Sequence, residues 1–445
     1  MNVYLTALGC KLNQAEVDDL ARRFAHEGHR VVADPAGADW AVVNTCAVTH
    51  VAARKSRQLL RQLRRAQPDL RIAVIGCYGE TDPTQAAALA GVECVVPNAA
   101  KDEVVARVLA RMDGAADATV EEPSAPAATH ATAGGRTRTF IKIQDGCDNV
   151  CTYCVVRLAR GAQRSRPPED VLADVAARVA EGYREVVLTG VHIGAYGRDS
   201  APGAPLPPER GWSLARLVGE VLKSAPPARL RLSSIEPWDL TPDLLALWDD
   251  PRLCRHIHLP LQSGCDATLR RMARRYTAAQ YRELVVAIRD RIPDVALTTD
   301  VIVGFPGETE AEFRQSSALI EELAFSRLHV FRYSPRPGTA AASAPDPVAP
   351  SVAQARGRAL ARLGRESALR YHRRLIGREV TVLFEASREG RERRTWSGLT
   401  DTYVRVTAPS ADDLHNTLRR VRCEGADASG VWGRIVDEAD AGGRH

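Results

Sequence analysis

Three cysteines in one short run, Cys147-Asp148-Asn149-Val150-Cys151-Thr152-Tyr153-Cys154, form a C-x3-C-x2-C pattern. Thiolates this close can hold three irons of a 4Fe–4S cube and leave the fourth iron without a protein ligand, and closely spaced cysteine runs of this kind hold iron–sulfur clusters. Zinc ribbons and knuckles also cluster cysteines, but usually as C-x2-C pairs that together complete four ligands. Here no Cys or His follows Cys154 in local reach, and the next cysteine is Cys254. An iron with an open position can bind a substrate or cofactor, so the missing fourth ligand points to chemistry. A structural zinc or chance clustering is the competing reading.

Three further cysteines share one plan. Cys10, Cys46 and Cys77 each end an apolar, β-branched run, at 3–10, 40–46 and 72–77. Between the runs, 14–26 and 51–66 carry apolar residues at helical spacing. Strands alternating with helices predict a parallel sheet of βαβ units. The loops after its strands lie along one edge, where ligands bind, so cysteines distant in sequence would converge there. Three unrelated buried cysteines are the plainer alternative. Their equivalent position after successive strands favours a second cluster, and Gly9 and Gly76 permit unusual backbone angles directly before two of them. Cys94, in the apolar run 92–96, reads as core, and Cys254, Cys265 and Cys423 read as non-ligands.

The elements that position these residues fall into three units. A chain of 445 residues exceeds one ordinary core. Its 45% hydrophobic and 26% charged residues are those of a soluble globular protein, and no signal peptide or apolar run of about 18 residues is present, so a cytoplasmic location is expected. In that compartment ten cysteines imply metal or catalysis rather than disulfides. Residues 1–113 form the N-terminal α/β unit, and 114–135, rich in Ala, Pro, Gly and Glu, read as a linker. From 136 to 374 a strand at 138–144 leads into the cysteine loop, and further strands follow at 185–190, 229–234, 255–261, 295–303 and 327–331. Six βα units predict a partial (β/α)6 barrel with its chemistry at the carboxyl ends of the strands, at Cys147, Gly190, Ser234, Gln262, Gly304 and Tyr333. After a helix at 352–374, residues 375–437 switch to short strands at 379–385, 403–406, 418–421 and 430–436, which predict a small antiparallel, OB-like barrel. Residues 438–445 read as a tail.

The net charge is only +5, and lysine is confined to Lys11, Lys55, Lys101, Lys142 and Lys223. Two acid-free blocks are more informative: Arg54, Lys55, Arg57, Arg61, Arg64 and Arg65, and then Arg157, Arg160, Arg164 and Arg166. Either could be a solvated surface, but each stands just after a cysteine proposed as a cluster ligand, which favours contact with RNA phosphates.

With Tyr153 included, the C-x3-C-x2-C run resembles the cluster motif of radical S-adenosylmethionine (SAM) enzymes. The whole chain, apart from 114–135 and the tail, resembles the methylthiotransferase family of these enzymes: an N-terminal methylthiotransferase domain, a radical-SAM core and a C-terminal TRAM domain. The resemblance implies that Cys147, Cys151 and Cys154 ligate the SAM-binding 4Fe–4S cluster and that Cys10, Cys46 and Cys77 ligate an auxiliary one. Tyr153, Gly190, Ser234 and Glu236 would seat SAM, with ordinary capping or core roles as the alternative for Ser234 and Glu236. The implied reaction cleaves one SAM to a 5′-deoxyadenosyl radical, methylates a sulfur with a second, and transfers the methylthio group to an adenine C-2 carbon. The implied partners are the anticodon loop of tRNA, an electron donor such as flavodoxin or ferredoxin, and a sulfur donor, with no membrane. Gly9-Cys10-Lys11-Leu12-Asn13-Gln14, Asn44-Thr45-Cys46-Ala47-Val48-Thr49, Lys55-Ser56-Arg57-Gln58 and the run from His258 to Asp266 look most like the branch acting on threonylcarbamoyladenosine. Isopentenyladenosine and a ribosomal-protein aspartate are the other substrate classes, and a non-catalytic iron–sulfur RNA-binding protein is the alternative outside enzymes. Arg157 stands where the family usually has proline, which leaves the loop geometry and RNA contacts there open.

Overall fold

The computed structural model describes residues 1–111, 136–199, 211–389 and 394–436. The expected linker at 114–135 and tail at 438–445 therefore lie outside the described residues. The first strands, β1 (Asn2–Ala7), β2 (Arg30–Val32), β3 (Trp40–Thr45), β4 (Arg71–Gly76) and β5 (Val92–Val95), pair in parallel in the order β2-β1-β3-β4-β5. Helices α1 (Lys11–His26) and α5 (Val104–Ala110) cover one face. Helices α2 (His50–Ala66), α3 (Cys77–Thr81) and α4 (Pro83–Ala87) cover the other. The period-two alternation of a strand explains both layers: Trp40, Val42, Ala73 and Ile75 enter the first, and Ala41, Val43, Ile72 and Val74 the second. The order of strands reverses between β1 and β3, which makes a crevice at their carboxyl ends.

The central strands are β6 (Arg138–Asp145), β8 (Glu185–Gly190), β9 (Arg229–Leu232), β10 (His256–His258), β11 (Ala296–Val303) and β12 (Arg327–Arg332). They run in parallel as two hydrogen-bonded sets, joined by bridges between Leu230 and Leu253 and between Ser234 and His258. A two-residue strand β7 (Arg164–Ser165) pairs antiparallel with β6. Helix α6 (Val156–Arg160) follows the cysteine loop, and α7 (Pro168–Ala180), α8 (Leu214–Ser224), α9 (Pro242–Ala246), α10 (Asp266–Arg271), α11 (Ala278–Arg291), α12 (Glu310–Leu323) and α13 (Pro350–Arg373) surround the strands. Val186, Leu188, Leu230, Leu232, Leu297 and Val301 turn outward into a core shared with these helices. The alternate positions make a polar inner face with Glu185, Arg231, His256, His258, Asp300 and His329. Helix α1 packs on β6 and β8 across that face, so the N-terminal unit supplies a wall that six strands alone leave open.

The C-terminal strands β13 (Glu379–Arg388), β14 (Thr395–Thr400), β15 (Arg405–Pro409), β16 (Leu418–Asp427) and β17 (Gly430–Ile435) close a barrel in the order β13-β14-β15-β17-β16. Three details differ from expectation. β15 and β17 pair in parallel, so the barrel is not antiparallel throughout, because the chain crosses to β16 before β17 returns beside β15. The strand expected from 403 starts at Arg405, because Tyr403, at φ 64°, belongs to the preceding turn. β14 was unforeseen, since Ser397-Gly398 breaks its apolar alternation. No described helix is long and apolar enough to cross a membrane.

This barrel docks on the amino ends of the central strands. Arg229 donates to the carbonyls of Leu399 (2.8 Å) and Thr381 (2.6 Å). Arg231, fully buried, donates to both oxygens of Glu185 (2.8 and 3.1 Å) and to the carbonyls of Asp401 (2.9 Å) and Thr400 (3.2 Å). Burial pushes the Glu185 carboxyl up, but Arg231 outweighs it and holds the carboxyl below its ordinary value. The contribution of this pair is therefore fully present above that ordinary value and is lost as pH falls through the lower folded one. Removing one partner leaves a buried charge unpaired, so Arg231→Met should cost about 3–5 kcal/mol at neutral pH. Denaturant midpoints should show that loss, the gap to wild type should narrow towards pH 4, and Arg231→Met combined with Glu185→Leu should recover much of it.

Candidate active site

Cys10, Cys46 and Cys77 follow three adjacent strands, β1, β3 and β4, at the reversal of strand order. Two glycines let the loops converge. A Cβ on Gly9 (φ 98°) would stand 2.7 Å from Cys46 Sγ, and one on Gly76 (φ 86°) 2.5 Å from the Thr45 carbonyl. Buried Asn13 ties the first two loops together, its Nδ2 donating to the carbonyls of Leu8 (2.7 Å) and Thr45 (3.1 Å). Thr45 Oγ1 donates to the Ile75 carbonyl (2.6 Å), which ties in the third. Burial pushes the Cys46 thiol up to about 11.

Cys147, Cys151 and Cys154 lie on the loop after β6, at the carboxyl mouth of the central barrel. The loop is pinned through Thr152, whose N–H donates to the Met272 carbonyl (3.2 Å) and whose Oγ1 donates to the Arg271 carbonyl (2.8 Å). The Asn149 N–H donates to Cys147 Sγ (3.4 Å). Burial pushes the Cys154 thiol up to about 12, so binding a metal there must displace a tightly held proton.

Each trio suits an iron–sulfur cube by its donor chemistry. Among the described residues, a further set of possible ligand atoms lies within 4.8 Å of one another: His258, Asp300 and His329, on β10, β11 and β12.

The residues expected to seat SAM differ in their surroundings. Tyr153 packs against the buried cluster of Met272, Phe305 and Ala341. Glu236 is ion-paired with Arg274, whose Nη1 also donates to Cys151 Sγ (3.4 Å) and to the Tyr153 hydroxyl (3.5 Å). Gly190 has a packing role, since a Cβ there would stand 2.7 Å from the Gln144 carbonyl on β6. Ser234 bridges to His258 where the two sets of strands meet. Sequence reasoning missed Arg274 and His192. His192 Nδ1 lies 4.0 Å from Cys147 Sγ, and its Nε2 lies 2.5 Å from Asp239 Oδ2. The signal for His192 was its position just beyond the strand ending at Gly190. Arg274 sat in the acid-free run from Arg270 to Arg275, far from any cysteine motif.

Arg160 corrects the sequence reading. It is not available to RNA phosphates: its side chain is 2% exposed and joins the two cysteine sites. Nη1 donates to Glu16 Oε1 and Asp145 Oδ1 (both 2.9 Å), and Nη2 donates to Asn13 Oδ1 (2.7 Å). Lys101 Nζ donates to Glu16 Oε2 (2.6 Å), and Lys142 Nζ lies 3.5 Å from Glu16 Oε1. Burial alone would raise the Glu16 carboxyl, but Lys101, Arg160 and Lys142 hold it well below the usual range. Arg166 is likewise engaged, with Asp174 Oδ2 and the Lys142 carbonyl (both 2.9 Å). Arg54, Lys55, Arg61, Arg65, Arg157 and Arg164 remain exposed. Arg157 occupies the first turn of α6, where proline is also tolerated, so the departure from the family pattern keeps the helix.

The sequence profile of the Radical SAM superfamily matches residues 141–320, and that of Uncharacterized protein family UPF0004 matches residues 2–97. A threonylcarbamoyladenosine tRNA methylthiotransferase of Thermotoga maritima is 38% identical over 86% of this chain and 86% of its own. A tRNA-2-methylthio-N(6)-dimethylallyladenosine synthase of Jannaschia sp. is 32% identical over 98% of this chain and 94% of its own. Among solved structures, the radical SAM methyltransferase TsrM of Kitasatospora setae, with cobalamin and a [4Fe-4S] cluster bound, superposes with a TM-score of 0.57 at 15% identity, covering 77% of each chain, which is a likeness of fold. With its two cysteine trios, its open barrel and relatives aligned along most of its length, the chain belongs to the methylthiotransferase family of radical-SAM enzymes.

Proposed function

We propose that this protein replaces the C-2 hydrogen of threonylcarbamoyladenosine, next to the anticodon in tRNA, with a methylthio group. One observation carries the reading: two cysteine trios at the carboxyl edges of two sheets, linked by Arg160, in a chain 38% identical to a relative named for that substrate. In this reading residues 1–113 are the methylthiotransferase domain with auxiliary ligands Cys10, Cys46 and Cys77. Residues 136–374 are the radical-SAM core with ligands Cys147, Cys151 and Cys154, and residues 375–437 are the TRAM domain.

When bound, the clusters and SAM supply one-electron cleavage of a carbon–sulfur bond and a sulfur for methylation and transfer. The chain's own groups do the positioning. Arg274 fixes the Glu236 carboxylate at the barrel mouth, where it would meet the polar end of SAM, and its N–H on Cys151 Sγ is of the kind that tunes cluster potentials. Tyr153, with Gly190 and Ser234 at nearby strand ends, would line the same mouth, and the buried layer of Met272, Phe305 and Ala341 behind Tyr153 would exclude water. The exposed cations of α2, with Arg157 and Arg164, engage RNA phosphates. An electron donor such as flavodoxin or ferredoxin and a sulfur donor serve the two clusters. Isopentenyladenosine is the second reading, favoured by the Jannaschia relative.

Nucleoside mass spectrometry of tRNA from a deletion strain separates these readings. Threonylcarbamoyladenosine lacking its methylthio group is expected; loss of methylthio from isopentenyladenosine instead would overturn the proposal. The anaerobically purified protein should hold about eight irons per chain, as two cubes require. Replacing Cys147, Cys151 and Cys154 with Ala should leave about half of that iron and abolish 5′-deoxyadenosine formation. Replacing Cys10, Cys46 and Cys77 instead should keep 5′-deoxyadenosine, at least in part, and eliminate methylthiolated tRNA, because the Glu16–Arg160–Asp145 link uses none of these thiols. Chromatography of both products from one reaction, with circular dichroism to check folding, reads the two outcomes.

A further inference from the structure

We propose that the inner face of the central barrel carries a carboxylate-binding subsite in which Lys11 receives the acidic group of the modified base; this rests on the threonylcarbamoyladenosine reading. Lys11 follows Cys10 and opens α1, the helix that covers the inner face. Its ammonium lies over the ring of Tyr403, 5.5 Å from the centroid. Among the described residues it forms no ion pair and no hydrogen bond, and the carboxylate that acts on it from further off, Glu185, is already held by Arg231.

Among the described residues, the cations beside it are matched: Arg231 meets Glu185, and Arg138 meets Glu385 at 2.6 Å. A half-buried ammonium left out of this pairing is costly unless an anion arrives from outside. Beyond it stands an oriented polar wall. Asp300 Oδ1 lies 3.3 Å from His258 Nε2 and 3.0 Å from His329 Nδ1. Thr298 Oγ1 lies 2.9 Å from His258 Nδ1 and 3.1 Å from His256 Nε2.

The chemistry of the two candidate bases differs at this point. A threonylcarbamoyl group carries a carboxylate, a hydroxyl and a ureido unit, whereas an isopentenyl group carries only hydrocarbon. The first can meet the ammonium directly; the second would leave it unpaired. Lys11 thereby acts as a specificity-determining residue.

The test uses the reconstituted holoenzyme and two anticodon stem-loop RNAs, one with threonylcarbamoyladenosine and one with the carboxylate replaced by a primary carboxamide. Wild type should prefer the carboxylate by about 10- to 100-fold in kcat/KM, the range of a charge-assisted hydrogen bond. Lys11→Gln should bring the ratio close to one, and Lys11→Arg should retain most of it, with iron content and circular dichroism reporting cluster loading and fold. A wild-type enzyme that methylthiolates both RNAs equally overturns the inference, whatever the variants do, while leaving the proposed reaction standing. An unchanged ratio in folded, cluster-loaded Lys11→Gln overturns it as well. Failure of wild type on both RNAs, with turnover of an isopentenyladenosine stem-loop, overturns the proposed function itself.

Discussion

A guanidinium taken out of water between two sheets must have every donor met, because desolvating a charge costs several kcal/mol and only close, complete pairing offsets it. Arg160 meets that demand with Asn13 and Glu16 on one side and Asp145 on the other. Asn13 lies three residues after Cys10, and Asp145 lies two residues before Cys147. One side chain therefore sets the spacing between the two cysteine loops. Lys101, Lys142 and Asn44 complete the shell around Glu16, so a shift of either loop would expose several charges at once.

Much of this was legible because it rests on local periodicity. The cysteine-terminated strands, the six βα units and the helix boundaries on either side follow from apolar spacing, and observed bounds depart by a few residues at most strand ends. What periodicity does not encode is which distant groups meet. Arg160 looked like one more cation in an acid-free block, because its acids lie fifteen and 144 residues away. Arg274 was invisible for the same reason, its partners Cys151 and Glu236 being remote in sequence. β14 escaped because packing inside a closed barrel, rather than its own alternation, makes it a strand.

Gly190 carries a related lesson. Its position at a strand end invites a ligand, yet the space its missing side chain leaves is already filled by the Gln144 carbonyl. Glu236 is joined to the cysteine loop through Arg274, which reaches both Cys151 Sγ and the Tyr153 hydroxyl.

Tyr403 reaches from the C-terminal barrel to the central one, stacks on buried His256 with centroids 4.8 Å apart, and meets Arg231, Arg138 and Lys11. Holding a tyrosine at φ 64° is locally unfavourable, and these contacts are what sustain it. The C-terminal module is thus part of the vessel as well as an attachment to it. A homologous barrel grafted from another protein could carry its own surface for RNA, yet without a ring at this turn it would leave His256 and three cations without the face they pack on.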